Sequence, residues 1–244
     1  MKKIYLGMLV AFLTVCTSCK FSETIYINDD GSGKMSFYLD GSELMPMMGG
    51  QVAGTQWDGI DSLISFKDVL SVAKYNLAQI PQGYQKQLKS LEKLNVEMQI
   101  DSKKNKMNFD VFANFNSVTD LQSTFGAITE LGELAAKSSS AVSKADIESL
   151  PSMKYAFSNN VFKRSFSVAN KKLLDSLKQN LGQAEMLMAA STYTLDYHFP
   201  KKIKSVSLED AILGKDGKSF TYEIRVIDFI NDPERLNFNV ELEK

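Results

Sequence analysis

Polar and apolar positions alternate most cleanly over 23–40, on both sides of Asn28-Asp29-Asp30-Gly31-Ser32. Ile25 and Ile27 share one face of the first arm and Met35, Phe37 and Leu39 one face of the second. Asp30-Gly31 supplies residues able to take positive φ, so the pattern predicts a β-hairpin. A second hairpin is predicted from the alternation of 95–101 and 106–114 around Ser102-Lys103-Lys104-Asn105. A third joins 153–157 to 161–168 around Ser158-Asn159-Asn160. Strands are also predicted over 192–199, 220–227 and 236–242, the second of these preceded by an Asp216-Gly217 turn.

Between these strands the spacing turns helical. Ser42 is placed to cap a short helix running to Met48 and stopped by Gly49-Gly50, followed by a loop over 51–61 that holds the only tryptophan, Trp57. Phe66, Val69, Leu70, Ala73 and Leu77 recur at helical intervals, so 62–78 reads mainly as helix, with 63–66 the one stretch that also suits a strand. Pro81 opens a helix bearing Tyr84, Leu88, Leu91 and Leu94 on one face. Ser117 and Asp120 form a capping-box-like start to a helix with Leu121, Phe125, Ile128 and Leu131. Asn170 caps a long helix with Leu174, Leu177, Leu181, Ala184 and Met188 in a stripe. Hairpin followed by helix, three times over and closed by strands, implies an α+β fold: antiparallel sheet built from β-hairpins with helices packed on one side.

The first eighteen residues follow different rules. Lys2 and Lys3 precede an apolar run over 4–15, too short for a span of about 20 residues, and this is the layout of a signal peptide. It ends in Thr17-Ser18-Cys19, which resembles the lipobox of bacterial lipoproteins, where small residues precede a cysteine that is acylated and becomes the first mature residue. Cys19 is the expected acceptor, because Cys16 follows β-branched Val15 and would leave with the leader. The expected organisation is a cleaved signal peptide over 1–18, lipidated Cys19 with a short tether over 19–22, and one α+β domain over 23–244. The serine-rich stretch near 137–146 is the one place for a division into two subdomains. A tether of about four residues reaches about 13 Å at full extension, so the domain is expected close to the lipid surface.

Composition narrows the function. Formal charge is −1, and loss of Lys2 and Lys3 takes the mature chain to about −3, which gives no basic face for nucleic acid. With no cysteine beyond position 19, the mature chain has no intrachain disulfide, thiolate zinc site or cysteine nucleophile. Lys215-Asp216-Gly217-Lys218-Ser219 ends like a phosphate-binding loop, but position 212 is Ile where glycine is needed, and a strand follows instead of a helix. Asn28-Asp29-Asp30-Gly31 fails as a calcium loop because Tyr26 and Phe37 fall at ligand positions. His198 is the only histidine, so a two-histidine metal site is excluded, and no G-x-S-x-G context accompanies it. It reads as a half-buried strand residue. Met45, Met47, Met48, Met186 and Met188 are soft ligands in principle, yet methionine is more often gap filler or adaptable contact surface. Met45, Met47, Met48 and Trp57 are therefore the candidate contacts for a partner or an apolar ligand. Lys201, Lys202 and Lys204 read as a solvated turn, with contact to anionic head groups as a secondary role.

The Thr-Ser-Cys lipobox, the Asp-Asp-Gly-Ser-Gly-Lys hairpin directly after it, and the closing run from Tyr197-His198-Phe199-Pro200 through Asp216-Gly217-Lys218 resemble outer-membrane lipoproteins of the Bacteroidota type. That resemblance implies placement and fold and supplies no catalytic residue. Lys20, where an aspartate would mark inner-membrane retention in some bacteria, points to the outer membrane and leaves its periplasmic or surface face open. The function expected is a lipid-anchored, non-enzymatic binding or structural protein at the membrane face, with no cofactor and with an envelope protein or apolar ligand as partner. The alternative is a carrier or sensor of an apolar, lipid-like ligand, and an envelope hydrolase comes third.

Overall fold

In the computed structural model, the residues described are 19–72, 91–124, 126–127, 152–167 and 184–244. The first hairpin pairs β1 (Lys20–Ile27) with β2 (Gly33–Asp40), and Gly31 takes φ +79° at the turn. The Asp30 carboxylate accepts the Ser32 amide at 2.9 Å, which completes the reversal. β4 (Asn95–Asp101) and β5 (Lys106–Phe115) form the second hairpin, with Asn105 at φ +50°. β6 (Ser152–Ser158) and β7 (Val161–Ser167) form the third. Its two-residue turn has Asn159 at φ +52° and Asn160 at φ +60°, the geometry that suits the right-handed twist of the arms.

The strands assemble into two sheets. One has eight strands in the order β10-β11-β8-β1-β2-β5-β4-β3, and the other has four in the order β6-β7-β12-β9. The closing strands are β8 (Thr192–His198), β9 (Ile203–Val206), β10 (Ile212–Leu213), β11 (Ser219–Arg225) and β12 (Phe238–Leu242), and β3 spans Ile60–Ser65. Most pairs are antiparallel, but β1 and β8 run parallel, Lys20 opposite Thr192 and Tyr26 opposite His198. That pair joins the first strand to one near the end of the chain, so segments on both sides of 137–146 share one sheet. The stretch 137–146 itself lies outside the described residues, as do the leader 1–18, most of the helix expected from Pro81, and the start of the helix expected from Asn170.

Several boundaries differ from the sequence reading. β1 starts at Lys20 rather than Glu23, because Lys20, Phe21 and Ser22 have ladder partners on both neighbours. The tether expected over 19–22 is therefore itself strand. Helix α1 (Met45–Val52) follows a 3-10 turn at Ser42–Leu44 and runs through Gly49-Gly50. Glycine lowers helix stability by about 1 kcal/mol but stops a helix only where it takes a left-handed backbone, and here that residue is Gly54 at φ +74°. Ser42 does not cap this helix through its side chain; its hydroxyl accepts the Met107 amide at 3.2 Å. Residues 60–65 form an edge strand against β4, and α2 (Phe66–Val72) begins only where that ladder ends. α3 (Ala184–Ala190) precedes β8, and α4 (Val226–Asn231) takes over from β11 two residues before the expected strand end.

One face of the large sheet is covered from β11 to β5, while both residues of edge strand β10 are exposed. Over β1, β2, β8 and β11, the inward residues Ile25, Met35, Leu195, Tyr197 and Phe220 pack against Phe162, Phe166, Phe238 and Val240 of the smaller sheet. Over β5, Val111 and Ala113 meet Leu91, Leu94 and Ala127 instead. The opposite face alternates with it in register and carries Ser22, Thr24 and Tyr26, Lys34, Ser36 and Tyr38, and Thr194, Asp196 and His198.

Candidate functional site

Two clusters stand out, one sealed in the core and one at an end of the sheet. In β1 the inward positions are Glu23, Ile25 and Ile27, and all three are buried. Glu23 thus places a carboxylate where the alternation calls for an apolar side chain. Arg164 does the same in β7, between Phe162 and Phe166, and is fully buried as well. The two meet across the sandwich, Arg164 Nη2 2.9 Å from Glu23 Oε2. The hydroxyls of Tyr155 (2.9 Å), Tyr193 (2.5 Å) and Tyr197 all donate to the same carboxylate, and Arg164 Nη1 donates to the Leu236 carbonyl at 2.8 Å.

Burial alone would push the Glu23 carboxyl up, but the Arg164 charge and the hydrogen bonds from Arg164, Tyr193 and Tyr197 hold it below its ordinary value. Burial, reinforced by the Glu23 charge, pushes the phenols of Tyr155, Tyr193 and Tyr197 well up. Both carboxylate oxygens are engaged by protein donors, so the group has no free lone pair for a substrate. The ring cluster around it fills the space between the sheets, with Phe162–Tyr197 centroids at 5.8 Å, Tyr197–Phe238 at 5.4 Å and Phe220–Phe238 at 5.5 Å. Chemically the cluster is a staple between sheets. Sequence reasoning passed over it, although the signal was present: a charge at inward parity on each of two strands.

The second cluster surrounds Cys19. Its carbonyl accepts the Thr192 amide at 3.1 Å and its own amide donates to Ser191 Oγ at 3.1 Å. The Ser191 hydroxyl in turn donates to the Leu187 carbonyl at 2.8 Å, and the Val226 amide donates to the Ser191 carbonyl at 2.9 Å. Cys19 is thereby tied to the junctions of α3 with β8 and of β11 with α4. Its side chain is buried, and burial pushes the thiol up, opposed by the Ser191 hydrogen bond and reinforced by the charge of Asp40.

Among the described residues, the other sequence candidates do not converge. Met45 is fully buried and belongs to the core, which removes it from any contact surface. The side chains of Met47 and Met48 lie outside the described residues. Trp57 is 53% exposed in the turn before β3. His198 is half-buried on the opposite face, stacked on Tyr26 with centroids 4.1 Å apart; its Nε2 lies 3.0 Å from Asp196 Oδ1 without the alignment of a hydrogen bond. Residues 215–218 lie in the turn between β10 and β11, with Gly217 at φ +69°, and Ser219 opens β11. Lys201 and Lys202 follow the His198 end of β8, about 20 Å along the strand from the Cys19 end. Among the described residues no three His, Cys, Asp or Glu side chains are grouped to hold a metal ion, and no helix is long and apolar enough to cross a membrane.

No family model matches the chain, and neither does any curated protein. Among solved structures it is similar to the folded domain of the LppM protein of Mycobacterium tuberculosis, determined by NMR, with a TM-score of 0.40 and 8% identity over 92% of this chain and 91% of that one. A likeness of that depth carries no function across.

Proposed function

We propose that this chain is a cell-envelope lipoprotein acylated at Cys19, held in the outer membrane, whose sandwich has a non-enzymatic binding or structural role at the membrane face. The observation that carries the reading is a coincidence of motif and fold. The residue that ends the lipobox-like Thr17-Ser18-Cys19 is the one from which β1 departs, in the interior of the eight-stranded sheet. Two or three acyl chains at about 0.8 kcal/mol per buried methylene hold such a protein stably on a bilayer. With strand beginning at Lys20, the anchor is continuous with the sheet and the domain has no slack. Lys20 after the cysteine favours the outer membrane. The saturated Glu23 carboxylate and the filled inter-sheet space weigh against a hydrolase or a carrier built on that core.

Replacing Cys19 with Ser in the native host tests the reading. The parent protein should take up labelled fatty acid and sediment with outer membranes, and C19S should lose both properties. A parent protein that takes up no label, or a C19S variant that still sediments with membranes, overturns it. Affinity capture of the mature protein from detergent-solubilised envelope then identifies what the sandwich binds.

A further inference from the structure

We propose that the end of the sandwich carrying Cys19 rests on the bilayer with Trp57 at its interfacial rim, so that the strands rise from the membrane and the turns at the other end face away from it. This rests on Cys19 being the acylated residue, since a lipid group there draws one end of β1 to the bilayer. The register decides what shares that end. Lys20 is opposite Asp40 and Thr192, Thr192 is opposite Arg225, and Asp40 is opposite Asn108. Two residues further along β5, Lys106 is opposite Asp101, and Ile60 opens β3 against Ile100.

Trp57 lies three residues before β3. Its neighbour Asp58 accepts the Ser102 amide at 2.9 Å and the Ser102 hydroxyl at 2.7 Å, which fixes this segment against the β4–β5 turn. Trp57, 53% exposed, thus leads into the strand that lies four strand spacings, about 19 Å, from β1, along the same rim. The turn beside it carries exposed Lys103 and Lys104, and Lys20 is exposed next to the anchor. Asp101 there accepts the Lys103 and Lys104 amides, both at 3.0 Å, and pairs with Lys104 at 2.9 Å, while Glu43 and Glu185 at the same end are exposed. On the other flank Met186 of α3 is 82% exposed, within two helical turns of Ser191, which holds the Cys19 amide. An indole, an exposed thioether and cations around an acyl anchor are the chemistry of the interface between head groups and hydrocarbon. The turns at 28–32, 200–202 and 214–218 lie at the opposite end.

Trp57 is the only tryptophan, so its fluorescence reports this contact alone. The mature acylated protein is reconstituted in vesicles of phosphatidylethanolamine and phosphatidylglycerol, with and without a doxyl-labelled phospholipid. Trp57 emission is expected to shift to the blue on binding and to lose intensity with the quencher. In a W57F/K215W variant the tryptophan moves to the exposed turn at the far end, and its emission is expected to be unaffected by the quencher. Bound protein whose Trp57 is not quenched, or a K215W probe quenched equally, overturns the orientation while leaving the anchor intact. Mature protein that fails to float with the vesicles overturns the anchor reading, and the orientation with it.

Discussion

Glu23 and Arg164, 141 positions apart in the chain, lie 2.9 Å from each other with both side chains fully buried, and the pair joins β1 of the large sheet to β7 of the small one. Taking two charges out of water is costly, and their attraction offsets the cost only when the remaining donors and acceptors are met, as Tyr155, Tyr193, Tyr197 and the Leu236 carbonyl meet them here. Removing one partner strands the other. Arg164→Met should therefore destabilise the fold by about 3–5 kcal/mol in urea unfolding. The double variant Glu23→Gln with Arg164→Met should be less destabilised than Arg164→Met alone. Additive losses in that cycle would show that the two residues act independently.

The same cluster sets a pH window. Because the folded Glu23 carboxyl lies below its ordinary value, its contribution is complete above the unfolded value of about 4.5 and disappears as pH falls through the folded one. The three phenols are displaced upward, so their contribution is complete below about pH 10 and is lost as pH rises through their folded values. Urea midpoints should be flat from about pH 5 to pH 9 and decline on both sides. In Glu23→Gln, whose side chain does not titrate, the acid limb should flatten.

The three hairpins were legible because each is local, an alternating pattern on both sides of a turn residue that tolerates positive φ: Gly31, Asn105, or Asn159 with Asn160. The lipobox-like Thr17-Ser18-Cys19 stood out for the same reason, a motif complete within three positions. What escaped was non-local. Nothing near Lys20 announces that Thr192 will lie beside it in parallel, although this pairing makes the expected tether into strand. Edge strand β3 was obscured because the helical spacing of Phe66, Val69 and Leu70 starts at the residue directly after it, and the free edge of β4 decides the outcome upstream. Glu23 and Arg164 each broke an apolar parity in view, but a lone charge in a strand acquires meaning only when the partner strand is known. Met45 and Trp57 were grouped by proximity in sequence, and packing separates them into core and surface.

Two glycines of the first hairpin should respond differently to alanine. At Gly33 a Cβ would fall 1.9 Å from the Tyr26 carbonyl oxygen and 2.4 Å from the Phe115 ring, and the backbone contact cannot be relieved by a rotamer change. At Gly31 the space is open and only the φ of +79° opposes a side chain, at about 1–2 kcal/mol. Gly33→Ala should therefore lower the melting temperature clearly more than Gly31→Ala. An equal effect of the two would mean that β1 and β2 separate at Gly33 without penalty.

Given the acylation proposed at Cys19, the fold sets an order of events during maturation. Acylation needs the thiolate, yet in the folded chain the side chain is buried, its thiol is pushed up, and its amide and carbonyl are held by Ser191 and Thr192. Each pKa unit of upward displacement removes about tenfold of the thiolate present at neutral pH, and burial restricts access to what remains. Acylation should thus precede closure of β1 against β8. In full-length chain carrying Cys16→Ser, Cys19 should react slowly with a thiol reagent when folded and rapidly in urea. The folded chain should likewise be a poorer acceptor for the acyl-transfer enzyme than chain freshly diluted from denaturant. Equal rates in the two states would mean that the Cys19 end opens readily in the folded protein, and the order would then be set by the export machinery instead of by the sheet.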